Sequence, residues 1–225
     1  LSDSAPYFSL GSCMQGLNLI FNHLFGIKMK VCETKPGETW CSDIIKLDII
    51  DSQNNSLGYI YCDFFERQNK PAHDCHFTIQ GGCQLADGTY QKPVVVLLLS
   101  LPSPCKSTPS LLSPIMVENL FHEMGHAIHS MLARTPYQHI TGTRCSTDLA
   151  EVPSILMEYF TFDPRVVSSF AKHFETNQMI PDHLLKAWIE SKKVFNASEV
   201  QCQLFYAVLD QVYHSNDPLM SKSNT

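Results

Sequence analysis

The 225-residue chain has few charged residues and no long apolar run. Charged residues make up 17% of it and hydrophobic residues 44%, so the chain can bury a sizeable core. The longest apolar run, Val94–Leu99 with Leu101 beyond it, is far too short to cross a bilayer, and no membrane insertion is expected. The formal net charge of −6 disfavours nucleic acid as a partner.

Cysteine is present, but in no pattern typical of disulfide-rich or redox proteins. The nine cysteines are an odd number, they are scattered along the chain, and no Cys-x-x-Cys pair occurs. This usage predicts reduced thiols in a reducing compartment and disfavours a disulfide framework.

The most informative segment is His122–His126, with the sequence His-Glu-Met-Gly-His. Histidines four apart on an α-helix lie on one face, so His122 and His126 can bind the same metal ion. Catalytic zinc sites use three protein ligands and leave one position for water. Glu123 lies beside the first histidine, where it can take a proton from that water. We therefore predict one catalytic Zn²⁺ per chain, with Glu123 as the general base.

The residues around this motif predict a helix from near residue 114 to 133. Ser113 suits the cap position and Pro114 the first turn, and Pro136 ends the segment. Gly125 is expected to allow a second helix to pack closely beside the motif. Apolar residues recur at helical spacing, at Val117, Leu120, Phe121, Met124, Ile128, Met131 and Leu132.

A second, acidic segment follows at residues 147–158. Asp148, Glu151 and Glu158 are spaced i, i+3 and i+10, which places them broadly on one helical face. Three carboxylates on a partly apolar helix are costly to bury without partners, and a metal with its histidines would be a natural partner. A third zinc ligand is therefore expected from this segment, and the spacing alone leaves open which carboxylate supplies it.

Together, residues 121–132 and 141–154 resemble the thimet oligopeptidase family of zinc metallopeptidases, and the resemblance runs along nearly the whole chain. The resemblance implies His122, His126 and Glu151 as zinc ligands and Glu123 as the base. It implies that His129 and Glu158 lie next to the site, and these two, with Asp148, are expected to orient the ligands by hydrogen bonds.

Residues 134–144, 190–194 and 204–211 favour a mitochondrial member of this family, one that removes a short N-terminal peptide from imported precursor proteins. The expected partner is thus a peptide or precursor-protein substrate, acted on by a monomer in the mitochondrial matrix, with the cytoplasm as the alternative. Family members are several times longer, so we expect a fragment of a larger helical peptidase that lacks a downstream histidine and tyrosines. Removal of one oxyanion donor typically lowers the rate of catalysis about 10²–10³-fold, so a fragment without these residues is expected to be a poor catalyst.

Three alternatives remain open at this stage. The chain could be a general oligopeptidase of the same family that cuts short peptides without precursor specificity. It could be a zinc-binding product without turnover. A purely structural zinc site would need a fourth protein ligand, for which His129 is the only nearby candidate, and would leave Glu123 without a purpose.

The order of predicted elements indicates an α+β fold, mainly helical. The family resemblance implies that it contains a zincin-like catalytic region. A helix is expected over about residues 10–26, followed by a β-rich stretch and, from 114, by helices. Residues 1–113 and 114–225 are predicted as two parts of one truncated catalytic domain. Residues 66–74 are predicted as a solvated loop. The strand candidates are residues 46–51, 58–65, 76–79 and 93–99, with a turn at 52–56.

Overall fold

The computed structural model describes residues 2–71 and 73–215. By compactness the chain separates into two units, Leu1–Trp188 and Ile189–Thr225. The boundary predicted after residue 113 lies inside the first unit and stays a prediction. Within the described residues, no helix has both the length and the apolar character that crossing a membrane requires.

Helices and strands follow the predicted order, with one helix first, then the strands, and helices again from Pro114. The elements are α1 (Leu10–Phe25), β1 (Lys28–Cys32), β2 (Ile45–Ile50), β3 (Ser56–Phe65), β4 (Cys75–Gln80), β5 (Cys83–Gln84), β6 (Tyr90–Gln91), β7 (Val94–Leu101), α2 (Pro114–Leu132), α3 (Thr147–Phe160), α4 (Pro164–Phe170), α5 (Asp182–Ser191) and α6 (Asn196–His214). The chain is thus a mixed α and β structure, and the expected α+β composition is confirmed at that level.

A five-stranded mixed sheet forms the centre of the first unit, in the order β1-β2-β3-β7-β4. The pairs β1/β2, β2/β3 and β7/β4 are antiparallel, and β3/β7 is parallel. The β2–β3 hairpin turns where it was predicted, because Asp51 Oδ1 accepts hydrogen bonds from the amides of Gln53 and Asn55. Strand β4 pairs with β7 on one side and lies at an edge of this sheet.

Helix α2 lies against β3, β4 and β7. It begins as predicted, with Ser113 Oγ accepting a hydrogen bond from the amide of Met116 and with Pro114 in the first turn. It ends at Leu132, ahead of Pro136. Its apolar face is buried at Val117, Leu120, Phe121, Met124, Ile128 and Met131.

An aromatic cluster holds the helices of the first unit together. The rings of Phe8 and Trp188 are stacked with centroids 3.8 Å apart, and Trp188 Nε1 donates to the carbonyl of Thr161 at 2.8 Å. Phe170 contacts both Phe8 and Phe121 edge-on or tilted. Burial of each of these large side chains stabilises the fold by about 1.5–3 kcal/mol.

The loop at residues 66–74, of which Ala72 lies outside the described residues, is largely exposed as predicted but is anchored at two places. The Lys70 side chain is 1% exposed, and its Nζ donates to the carbonyls of Asp63, Phe65 and Leu99. Asp74 accepts from the Ser100 amide. The sequence prediction missed these anchors because the partners on β7, Leu99 and Ser100, lie far from the loop in sequence. All nine cysteines are unpaired thiols, as predicted.

Candidate metal centre

Helix α2 presents His122 and His126 on one face, one turn apart. Their rings lie with centroids 4.9 Å apart and nearly perpendicular, at 82°. The second histidine of the pair is half-buried, and burial lowers its pKa, which favours the neutral imidazole that a metal needs.

Helix α3 brings Glu151 to the same point. Glu151 Oε2 lies 3.4 Å from His122 Nε2 and 3.3 Å from His126 Nε2. One donor atom from each of these three residues lies within 4.8 Å of the others. The ligands of a tetrahedral zinc site with bonds of about 2.0–2.1 Å are about 3.3 Å apart, and the two distances from Glu151 to the histidines have this size. Two imidazoles and a carboxylate are also a donor set that catalytic zinc uses.

Gly125 makes this meeting of two helices possible. A Cβ atom at position 125 would lie 2.7 Å from Ser154 Cα and 2.8 Å from the carbonyl oxygen of Pro153. Both of these atoms belong to the backbone of α3 and cannot rotate away. The predicted role of Gly125 in close helix packing is therefore confirmed, and this contact sets how near Glu151 comes to the two histidines.

Glu123 projects from α2 into a protected position. Its side chain is 7% exposed, and within the described part of the chain its Oε2 atom has no hydrogen-bond partner. Burial raises the pKa of this carboxyl to about 7, with Asp74 and Glu151 adding to the rise and His122 opposing it. A buried, unpaired carboxylate oxygen with a pKa near neutrality is suited to accepting and returning a proton.

Glu158 contacts His122 at the ring nitrogen that faces away from Glu151. Its Oε1 atom lies 2.6 Å from His122 Nδ1, so the carboxylate can accept the ring N–H and leave Nε2 free to face Glu151. This is the arrangement in which an acidic residue orients a metal-binding histidine. The contact supports the role predicted for Glu158.

The other two predicted neighbours are placed differently. Asp148 is exposed and its carboxylate accepts the amide of Leu149, with no contact to the three clustered residues. His129 lies outside the three-residue cluster and lines an apolar cavity of about 190 Å³, where its Nδ1 is buried without a partner in the described structure. Burial lowers the pKa of His129. Among the described residues, neither side chain makes a hydrogen bond or ion pair with the cluster, and the orienting roles stay predictions.

Strand β4 and the residue before it add side chains that the sequence prediction did not include. The His76 ring lies 6.0 Å from that of His126, and its Nε2 is 3.0 Å from Ser130 Oγ. Burial, together with His126 and His129, lowers the pKa of His76 to about 4, so this ring is neutral at pH 7. Asp74 accepts a hydrogen bond from the Asn119 side chain. The only signal in the sequence was a histidine at the start of a strand candidate.

These observations define a two-helix His-His-Glu site beside a sheet edge, and comparison with known proteins identifies the family. The profile of Peptidase family M3 matches residues 1–225, and the chain belongs to this family. The family resemblance predicted from the sequence is thereby confirmed.

Individual relatives are named mitochondrial intermediate peptidase. The Mus musculus protein is 60% identical over 220 residues, which are 98% of this chain and 31% of the relative. The Homo sapiens protein is 56% identical over 97% of this chain, and the Arabidopsis thaliana protein 39% identical over 95% of it. The chain spans about a third of the length of these relatives, 31% and 30% for the last two. Their names agree with the predicted mitochondrial location.

Proposed function

We propose that this chain provides the zinc-binding catalytic region of a metalloendopeptidase that processes imported precursor proteins in the mitochondrial matrix. The observation that carries the proposal is the convergence of His122, His126 and Glu151 from two helices, with the unpaired Glu123 carboxylate next to them. A sheet packed against the helix of the motif, followed by the ligand helix, supports a zincin-like catalytic region.

In this proposal His122, His126 and Glu151 hold one Zn²⁺, and Glu158 orients the first histidine. Bound zinc would polarise the scissile carbonyl and lower the pKa of a water towards about 7. Glu123 accepts the proton of the attacking water on its buried carboxylate and then delivers it to the departing amine nitrogen. In the metal-free protein burial raises its pKa to about 7, and a carboxyl that is protonated so readily suits a group that acts first as a base and then as an acid.

The edge strand β4 offers a place for the substrate. It lies beside α2 and, among the strands the structure describes, pairs only with β7, so an extended peptide can add to its other edge through backbone hydrogen bonds. Backbone hydrogen bonds would hold the peptide beside the cluster whatever its side chains are. This suits a substrate class of unfolded peptide segments.

Metal content of the purified protein tests the proposal most directly. We expect about one zinc per chain in the wild type and in Glu123→Gln, and a large loss in Glu151→Ala. His23→Ala is the matched control, because His23 is an exposed histidine on α1 that does not belong to the cluster, and this variant should keep its zinc. A wild-type protein that binds no zinc, or a Glu151→Ala variant that binds it normally, would contradict the ligand assignment.

Turnover tests the catalytic part separately. Glu123→Gln should abolish peptide cleavage while zinc stays bound, because the amide cannot accept the water's proton. Peptides that span precursor cleavage sites, compared with unrelated short peptides, distinguish precursor processing from a general oligopeptidase. Full zinc occupancy without cleavage of any peptide by the wild type would favour the zinc-binding product that lacks turnover.

A further inference from the structure

The edge strand β4 is attached to helix α2 by two side-chain hydrogen bonds that no part of the zinc site requires. Asp74, directly before the strand, accepts from the Asn119 side chain and, at 2.8 Å, from the Ser100 amide on the end of β7. His76, two residues further, is bonded to Ser130 Oγ at 3.0 Å. Residues two apart on a strand point to the same face, so both side chains can reach the helix.

The helical partners of these bonds lie on either side of the motif. Asn119 precedes His122 by three residues, and Ser130 follows His126 by four. They are eleven residues apart, which is close to three full turns, so they lie on the same face of α2. The two bonds therefore attach the strand to the helix before and after the segment that carries both histidines and Glu123.

The attachment matters because an edge strand has few other constraints. Strand β4 has one partner in the sheet, and its register with β7 shifts between Thr78 and Gln80. The regularly paired part is therefore the first half of the strand, Cys75–Thr78, which lies next to the motif. A strand held on one side only opens more easily than an interior strand. Side-chain bonds to a well-buried helix supply a second constraint, and both bonds are at this first half.

We propose that Asp74 and His76 are positioning residues. Through their hydrogen bonds to Asn119 and Ser130 they fix the distance between the edge strand and the His122–His126 segment of α2. This inference rests on the proposed function, because it gives the attachment a purpose in presenting an extended peptide to the site. Neither residue touches the reacting atoms. They set the distance between the strand that binds the substrate backbone and the helix that carries the base. Displacement of a substrate by about 1 Å is enough to lower the rate about 10²-fold.

Hydrogen exchange of the metal-free protein tests the attachment without any reliance on activity. His76→Phe keeps an aromatic ring and removes the bond, and Ser130→Ala removes the partner. Each should speed exchange of the β4 amides about two- to tenfold, and the double variant should exchange no faster than either single one. Ser130→Thr, which keeps the hydroxyl, should restore the wild-type rates. Thr78→Val is the matched control on the same strand and should leave the exchange of its neighbours unchanged.

Peptide cleavage by the zinc-loaded protein tests the positioning role. Both single variants should keep one zinc per chain and lose at least tenfold in kcat, with a smaller change in KM, and Ser130→Thr should recover kcat. Unchanged β4 exchange in His76→Phe and Ser130→Ala would overturn the attachment, whatever the activity. Faster exchange with an unchanged kcat would overturn the positioning role. If the wild type neither binds zinc nor cleaves peptides, the proposed function fails, and with it the positioning role, while exchange still decides the attachment.

Discussion

The tightest constraint on the candidate site comes from a residue without a side chain. Gly125 lies between the two histidines of α2, and α3 passes so close that its own backbone occupies the space of a Cβ atom. Metal-ligating side chains tolerate small errors by rotating, but backbone contacts do not. The distance from Glu151 to both imidazoles is therefore set by a glycine, because only a residue without a Cβ atom lets α3 come this close to α2.

We predict that Gly125→Ala destabilises the protein by about 1–3 kcal/mol, because the added methyl group forces α3 away from α2. The same shift moves Glu151 from the histidines, so zinc affinity should fall, as measured by competition with a chelator. Gly11→Ala is the control, because a Cβ at position 11 of α1 meets nothing within 4 Å. The free energy of unfolding of that variant should lie within about 1 kcal/mol of the wild-type value, and the variant should bind zinc normally. Equal zinc affinity in Gly125→Ala and wild type would show that α3 is not held by this contact.

Elements built from local patterns were predictable, and the contacts between elements were not. The helix predicted for residues 114–133 is observed as Pro114–Leu132, because capping, helical periodicity and a following proline all act within the segment. Strand β1 was missed because its five residues include two exposed lysines and no buried residue, so it has little hydrophobic pattern. The edge position of β4 was not predictable either, because strand order depends on pairings far apart in sequence.

The same limit applies to the candidate site. Glu151 was assigned by resemblance, since its spacing from His126 does not by itself distinguish it from Asp148 or Glu158. The structure separates these three by geometry: Glu151 meets both histidines, Glu158 meets the back of one, and Asp148 meets neither. Sequence periodicity gives the face of a helix, but which residue on that face reaches a partner depends on how the neighbouring helix packs.

At the end of β3 a buried ion cluster fixes the start of the loop that leads to β4. Asp63, 1% exposed, accepts hydrogen bonds from Arg67 at 2.5 and 2.7 Å and from Trp40 Nε1 at 2.9 Å, and pairs with Lys70 at 2.8 Å. Burial by itself would raise the pKa of this carboxyl, but the hydrogen bonds from Arg67, Lys70 and Trp40 outweigh it and lower the pKa to about 2. The charged carboxylate is therefore the form that stabilises the fold.

We expect Asp63→Asn to destabilise the protein by about 3–5 kcal/mol at pH 7, because it leaves the buried Lys70 ammonium without its counter-charge. Since the folded pKa lies below the ordinary value of about 3.9, the contribution is complete above that pH and is lost as the pH falls towards 2. The free energy of unfolding, measured by urea titration from pH 7 to 2, should thus fall more steeply in the wild type than in the variant. Asp43→Asn, an exposed control, should change stability by less than about 0.5 kcal/mol. Parallel pH curves for wild type and Asp63→Asn would contradict this role.

At the scale of the whole molecule, the proposed metal joins two helices that are connected by a loop of fourteen residues, numbers 133–146. Helix α2 is anchored by the sheet, whereas α3 keeps several apolar side chains exposed, among them Leu149, Val152 and Tyr159. The helix with the third ligand is thus the less buried of the two. A metal held by both helices would bind the folded state only, and its binding free energy would add to the stability of the first unit.

We therefore predict that zinc raises the stability of the protein through Glu151. A ligand that binds only the folded state adds about 2.7 kcal/mol when its free concentration is a hundred times its Kd. For a chain of this size such a gain raises the melting temperature by several degrees, about 5–10 °C, and a chelator should reverse it. Glu151→Ala should melt at nearly the same temperature with and without zinc, whereas His23→Ala should keep the full shift. A wild-type protein whose melting temperature does not respond to zinc would show that the three side chains are close in space but do not act as one site.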